Sequence, residues 1–264
     1  MAKKKSVKTK KNEMNKQKLF LICLAGFATL TTVCALVLAI NVMPQKIDIM
    51  AAQKEFEGLP KLPVLSETPI VVWSALNLYN DEMLKMNPDY IGVLRIEGTS
   101  ISYPVVRGND NLKYLATSFR GNENMLGALF LDYRCVGENL KHIIIYGHNI
   151  QNHLFGKLNA YLDEQYLEAN NIITFIENNI LSEYEIFSAR LTDIDDTAYH
   201  LDFSLPDSFN LFLESNGAPK EVEQIITLST CYGDGLDDRR IIVQGARRNS
   251  YTINETDILI ASFK

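Results

Sequence analysis

The sequence predicts a mainly β fold: an eight-stranded barrel, closed or nearly so, with helices on its N-terminal approach, a helix just before its last two strands, and one transmembrane helix ahead of it all. Three observations predict it. From Tyr90 onward, short stretches rich in β-branched and aromatic residues alternate with turn signals, and eight of them can be placed. Helical spacing of apolar residues shows only before and between them. Near the N-terminus, Leu19–Val42 runs for 24 residues without a formal charge.

Residues 1–18 hold eight lysines against one glutamate and almost nothing apolar, a basic tail that cannot fold alone. The uncharged run 19–42 would rise to roughly 36 Å as a helix, enough for a ~30 Å hydrocarbon core. Lysines on one side only put the N-terminus in the cytosol and the rest outside. The rival is a cleaved signal peptide, with an apolar region of about 7–15 residues and a small-residue cleavage site. The run here is longer and NVMPQK offers no such site, so the reading is an uncleaved signal anchor in the cell membrane.

Residues 43–86 read as a stalk and an N-terminal helical segment. A short helix is expected over Ile47–Phe56, GLPKLP is stiffened by its prolines, and Trp73–Met86 has helical spacing that Pro88 closes. Residues 87–264 form the barrel domain. Its expected strands are Gly92–Ile96, Ser102–Val106, Ala128–Leu131, Ile143–Tyr146, Ile172–Ile176, Tyr184–Arg190, Gln224–Thr230 and Arg240–Gly245, with helices over Leu112–Ala116, Tyr161–Ala169 and Asp207–Asn216.

The whole chain carries −6; without the tail, 18 basic and 31 acidic residues leave −13 outside. So acidic a domain disfavours nucleic acid, whose phosphates want a basic face. Cys23 and Cys34 fall in the span, which leaves Cys135 and Cys231 outside, where an oxidising exterior would permit a disulfide. No two Cys or His residues stand at zinc spacing, and GDGLDD lacks the ligand rhythm of a calcium loop, so no metal and no cofactor are expected.

The chemistry centres on IITLSTCYGDGLDDRRIIVQGARR, residues 225–248. An apolar strand ends on Cys231, a loop of glycine and aspartate turns at the surface, and the return strand opens with Arg239 and Arg240. Hairpin partners face each other, so a guanidinium returns beside the thiol. A thiol needs a base or a cation to act as a nucleophile. Of the four histidines, His142 reads as a solvated strand start, and His153 and His200 as surface residues. His148, in YGHN just past a strand end, is either a hydrogen-bonded turn residue or the partner of Cys231.

YGHN together with TLSTC and the following R-I-I-V resembles the sortases, cysteine transpeptidases that attach proteins to the cell wall of Gram-positive bacteria. The resemblance runs from about Asn87 to Arg248 through DYIGVLRIEGTSISYPVV, GNDNLKYL, GALFLDYR and YEIFSA. The helical approach and the helix-like insert Asp207–Asn216 are similar to class B, and the fold implied is the sortase-type barrel. The resemblance implies that Cys231 is the nucleophile, His148 the general acid/base, and an arginine the oxyanion or substrate-orienting group. Arg240 fits the family pattern of an arginine, four strand residues and a small residue, R-I-I-V-Q-G; Arg239 would put Gln244 at the small position. Asn111, Leu115, Tyr146 and Ser229 are implied as substrate-binding residues, each with a packing role as the alternative.

The implied reaction cleaves a threonine-containing sorting signal of surface proteins and passes the acyl group to a peptidoglycan amine. Other readings are a cell-wall L,D-transpeptidase, whose cysteine stands in S-x-G-C whereas Thr230 precedes Cys231 here; a papain-like peptidase, which wants a helix-borne cysteine; and a non-catalytic membrane-anchored binding module.

Overall fold

The computed structural model describes residues 50, 54, 56–63 and 69–252, apart from 138, 152 and 234–237. The tail 1–18 and the run Leu19–Val42 lie outside the described residues, as does most of Ile47–Phe56; among those described, no helix is long and apolar enough to cross a membrane. The elements below belong to the compact unit Glu55–Lys264.

Helix α1, Pro69–Met86, starts earlier than the expected Trp73. Proline suits a first helical turn, where its missing N–H has no intrahelical partner to lose. Leu76, Tyr79 and Met83, one stripe at helical spacing, are buried against Tyr90, Val93 and Ile176. Leu59 and Leu62 of GLPKLP pack on the same cluster, and Arg120 donates to the Gly58 carbonyl at 2.7 Å, so residues 56–63 lie on the barrel.

Ten strands follow: β1 Tyr90–Ile96, β2 Ser102–Val106, β3 Leu129–Leu131, β4 His142–Tyr146, β5 Asn149–Ile150, β6 His153–Leu154, β7 Ile172–Glu177, β8 Ile180–Thr192, β9 Ile225–Cys231 and β10 Arg240–Thr252. Eight of them close a barrel in the order β1-β2-β3-β4-β9-β10-β8-β7, while β5 and β6 form a separate two-stranded ribbon that the sequence did not announce. The pairs β2–β3 and β4–β9 are parallel. In β4, His142 to Ile145 are buried, and in β9 all residues up to Thr230, as expected of strands covered on both faces. One cover is the β8–β9 connection, whose Phe203, Phe209, Phe212 and Leu213 pack on Ile225 and Ala246.

Three helix expectations are corrected. Leu112–Ala116 is only a 3-10 turn, Lys113–Leu115. The segment expected as one helix, Tyr161–Ala169, is a 3-10 stretch Phe155–Leu162 followed by α2, Glu164–Ala169. Asp163 breaks it: in extended conformation, its carboxylate accepts from the Tyr166 N–H at 2.9 Å and so caps α2. Helix α3 spans Ser208–Ser215, with Asp207 and Asn216 as flanking residues rather than members.

His142 is the other correction: it is buried, 2% exposed, not solvated. Its Nδ1 lies 2.8 Å from the His200 carbonyl, which only accepts, so Nδ1 carries the proton and Nε2 accepts from the Thr227 hydroxyl at 2.7 Å. Thr227 in turn accepts from Gln244, Gln244 accepts from Arg190, and Arg190 donates to Asp196 and Asn216. This polar chain ties the β8–β9 connection to β4, β9 and β10.

Burial keeps His142 neutral, with its pKa pushed down to about 4. Between that value and the ordinary ~6.5 of the unfolded chain, only the unfolded state binds the proton, so stability is full above about pH 6.5 and falls as pH drops toward 4. Urea denaturation across this range should show wild type losing up to about 3 kcal/mol more than His142→Gln. Parallel curves for the two proteins would refute the buried neutral imidazole.

Candidate active site

Because β4 and β9 are parallel, with Tyr146 beside Ser229, both strands end at the same rim of the barrel. The chain leaving β4 delivers Gly147 and His148 there, and β9 delivers Cys231. The antiparallel return strand places Arg240 directly opposite Cys231. Opposed residues of a ladder share a face, so thiol and guanidinium stand on one side. The register of β10 thus sets Arg240, and not Arg239, across the ladder from Cys231. Arg239 instead lies over the Tyr232 ring, 4.8 Å from its centroid, and its carbonyl accepts from the Arg240 side chain at 2.9 Å.

The rim turns are shaped by two glycines. A Cβ on Gly147 would come within 2.3 Å of Leu129 Cδ2 and 2.9 Å of Phe155 Cδ2, so YGHN needs glycine for close packing beneath His148. Gly233 has φ +61°, a left-handed turn that carries the chain away from Cys231. His148 is held twice: its Nε2 donates to the Leu115 carbonyl at 2.7 Å, and its own carbonyl accepts from the Phe155 N–H at 3.1 Å. With the proton on Nε2, Nδ1 is the basic nitrogen of the neutral ring. Asn149 donates its side-chain amide to the Cys231 carbonyl at 2.8 Å and fastens the histidine loop to the end of β9.

A groove of about 570 Å³ opens over this rim. Every site residue expected from the sequence lines it: Asn111, Leu115, Tyr146, His148, Ser229, Cys231 and Arg240. Their settings differ. Leu115 is an exposed apolar wall. Ser229 is 2% exposed, its hydroxyl bonded to that of Tyr199 at 2.8 Å. Asn111 and Tyr146 each donate to the buried Asp132 carboxylate at 3.0 Å.

Sequence reasoning missed Phe130, Arg134, Ile194 and Tyr199, which also line the groove. Arg134 grips Asp132 through Nε at 2.9 Å and Nη2 at 2.8 Å. Burial would raise the Asp132 pKa, but the hydrogen bonds and charge of Arg134 and the amide of Asn111 outweigh it and hold the carboxyl below its ordinary value. Tyr199 stacks on Tyr146 with ring planes 9° apart. Its stretch, DIDDTAYH, has no apolar period; the only signal was an Asp before a small residue, and Asp196 does cap the 3-10 turn that presents Tyr199. Both described cysteines are free thiols. Cys135 is buried and its pKa is pushed up to about 11 by that burial, so it is a poor source of thiolate. No cluster of three or more His, Cys, Asp or Glu side chains that could hold a metal occurs among the described residues.

The family model described as Sortase domain matches residues 94–248. Sortase B of Staphylococcus aureus is 31% identical over 162 residues, 57% of this chain and 66% of that protein. Sortase B of Listeria monocytogenes is 32% identical over 178 residues, 62% of this chain and 72% of that protein. Among solved structures, a Staphylococcus aureus sortase B–substrate complex has a TM-score of 0.63 at 25% identity, covering 78% of this chain and 99% of the other.

The groove wall hangs on Asp132. Replacing it with alanine strips Arg134, Asn111 and Tyr146 of their shared acceptor, and bonds to a charged group count for about 1.5–3 kcal/mol each. Asp132→Ala should lose at least about 2 kcal/mol in urea denaturation. A variant as stable as wild type would show that the wall is held by something else.

Proposed function

Because this chain belongs to the sortase family of cysteine transpeptidases, and within it to class B, we propose that it cleaves a threonine-containing sorting signal and transfers the acyl fragment to a peptidoglycan amine. The observation that carries the reading is the register that sets Cys231 against Arg240 at the rim where His148 arrives. The donor peptide lies in the groove between Leu115, Tyr146 and Tyr199, and the similar substrate complex supports a peptide there.

The Cys231 thiolate attacks the scissile carbonyl carbon, and negative charge develops on its oxygen. Arg240, with a fixed planar fork of donors, is placed to stabilise that charge or to orient the peptide backbone. As the C–N bond breaks, protonated His148 gives the departing amine its Nδ1 proton, while Nε2–H stays on the Leu115 carbonyl. The thioacyl enzyme forms with the neutral imidazole restored. The acceptor amine then attacks the thioacyl carbon, His148 takes its proton, and the C–S bond breaks to free the thiolate. Substrate-binding roles for Asn111, Tyr146 and Ser229 act through the groove's shape, because their polar groups already hold Asp132 and Tyr199.

We further propose that Leu19–Val42 anchors the chain in the cell membrane with residues 1–18 cytosolic, 43–86 as stalk and N-terminal helix, and the catalytic barrel 87–264 outside. The lysine bias of the tail supports this orientation. Protease added to intact, wall-stripped cells should remove the mass from the stalk onward and spare the tail; a protected barrel would reverse the topology.

Mass spectrometry of products from a panel of threonine-containing signal peptides tests the chemistry. Cys231→Ala should yield neither cleavage after threonine nor a thioacyl adduct. His148→Ala should be slower by about 10²–10⁴-fold. Arg240→Lys keeps the charge but not the fork and should lose about 10²–10³-fold, whereas Arg239→Lys should lose less than about tenfold. Cleavage by Cys231→Ala at the wild-type rate would end the proposal.

A further inference from the structure

The seam between β4 and β9 continues past the point where the two backbones part. Gly147 N–H donates to the Ser229 carbonyl at 3.2 Å, and in a parallel ladder the next rung falls two residues on along both strands, at Asn149 and Cys231. There the donor is a side chain: Asn149 Nδ2 reaches the Cys231 carbonyl at 2.8 Å. This rung bridges the turn that carries His148, so the residue after the histidine is fastened to the nucleophile itself.

Asn149 is held in turn. Its backbone lies in β5 opposite Leu154 of β6, and its Oδ1 accepts from Asn159 Nδ2 at 2.8 Å. The same Nδ2 donates to the Gly156 carbonyl at 2.8 Å, within the 3-10 stretch Phe155–Leu162. The polarity of this chain is set at both ends. The Cys231 and Gly156 carbonyls can only accept, so a nitrogen must face each of them, and the two amides are left with one consistent orientation, Asn159 to Asn149 to Cys231. Asn159 is exposed and Asn149 half-buried, so these bonds contribute modestly to folding. What they fix is the separation of the histidine loop from the end of β9.

We propose that Asn149 is a positioning residue for the transfer reaction, holding the His148 loop at a set distance from Cys231, and that Asn159 keeps its amide turned the working way. The inference rests on the cysteine transpeptidase reading, in which His148 protonates a departing amine and later deprotonates an arriving one, each at the carbon bonded to Cys231 Sγ. Neither Asn149 nor Asn159 lines the donor groove. Loss of either therefore falls on turnover and not on donor binding.

The test uses the full chain in detergent with a cleaved donor peptide. Asn149→Ala should lower kcat about tenfold or more and leave KM within about twofold, since a small misplacement of a catalytic group is enough for such a loss. Asn159→Asp keeps the size but can donate to neither neighbour, so it favours reversal of the Asn149 amide and sets Oδ1 against the Cys231 carbonyl. It should therefore be slower than Asn159→Ala, which leaves the Asn149 rung in place. On the Asn149→Ala background that difference should vanish, because Asn159 acts through Asn149. A wild-type kcat in Asn149→Ala, equal rates for the two Asn159 variants, or a difference between them that persists without Asn149 each overturns the proposal. Asn159 is exposed, so its variants carry the comparison even where Asn149→Ala folds poorly.

Alkylation of Cys231 by iodoacetamide, read by peptide mapping, needs no donor. His148→Ala changes its rate where the imidazole serves the thiol, and Asn149→Ala should change it in the same direction. A changed rate for His148→Ala beside a wild-type rate for Asn149→Ala overturns the positioning role alone. An unchanged rate for His148→Ala overturns the transpeptidase reading and the positioning role with it.

Discussion

The parallel pairing of β4 with β9 is the constraint from which the rest of the molecule follows. Residues 82 positions apart, Asn149 and Cys231, touch because the two strands point the same way and end together. An antiparallel pairing would have sent the histidine loop to the opposite rim from the thiol. Parallel neighbours need a long crossover, and the chain uses that length. The stretch between them supplies β7, β8 and the insert whose aromatic residues cover the β9 face and whose Tyr199 walls the groove.

Two polar networks do different work around this seam. One, from His142 through Thr227, Gln244 and Arg190 to Asp196 and Asn216, pins the insert to the sheet. The other radiates from Asp132 and fixes the groove wall. Each centres on buried, hydrogen-bonded groups, Thr227 and Gln244 in the first and Asp132 in the second, which makes it rigid and costly to break in part. Rigid walls matter here because a catalytic hydrogen-bond donor is effective only when it needs no reorganisation as charge develops. The two described cysteines show the same principle from the other side: Cys135 is sealed in the core with a raised pKa, while Cys231 stands at the opening.

Much of this was legible in the sequence, and the parts that were not share a cause. The β-branched runs Ile143–Tyr146 and Gln224–Thr230, the hairpin loop and the motif residues Cys231, His148 and Arg240 carry strong local signals. The far halves of β8 and β10 do not: pairs such as Ser182 with Ser250 and Glu183 with Asn249 lack apolar alternation, so both strands were expected to be shorter than their 13 residues. The burial of His142 depends on partners at Thr227 and His200, and the role of Tyr199 on Tyr146 and Ser229. Nothing within a window of neighbouring residues encodes such contacts. The break at Asp163 has a local signal, since aspartate before a helical run is a cap.

The thiol-bearing strand lies between β4 and β10, and its neighbours are made at opposite ends of the barrel's synthesis. β9 has no ladder partner nearby until β10 follows, and its union with β4 closes a loop of about 80 residues, a slow, entropically expensive event. A chain growing from its N-terminus therefore has β4 and the histidine loop before it has β9 and Cys231. His148 and Cys231 share a rim only once β4 and β9 have paired, so a half-made chain holds its thiol apart from the histidine loop.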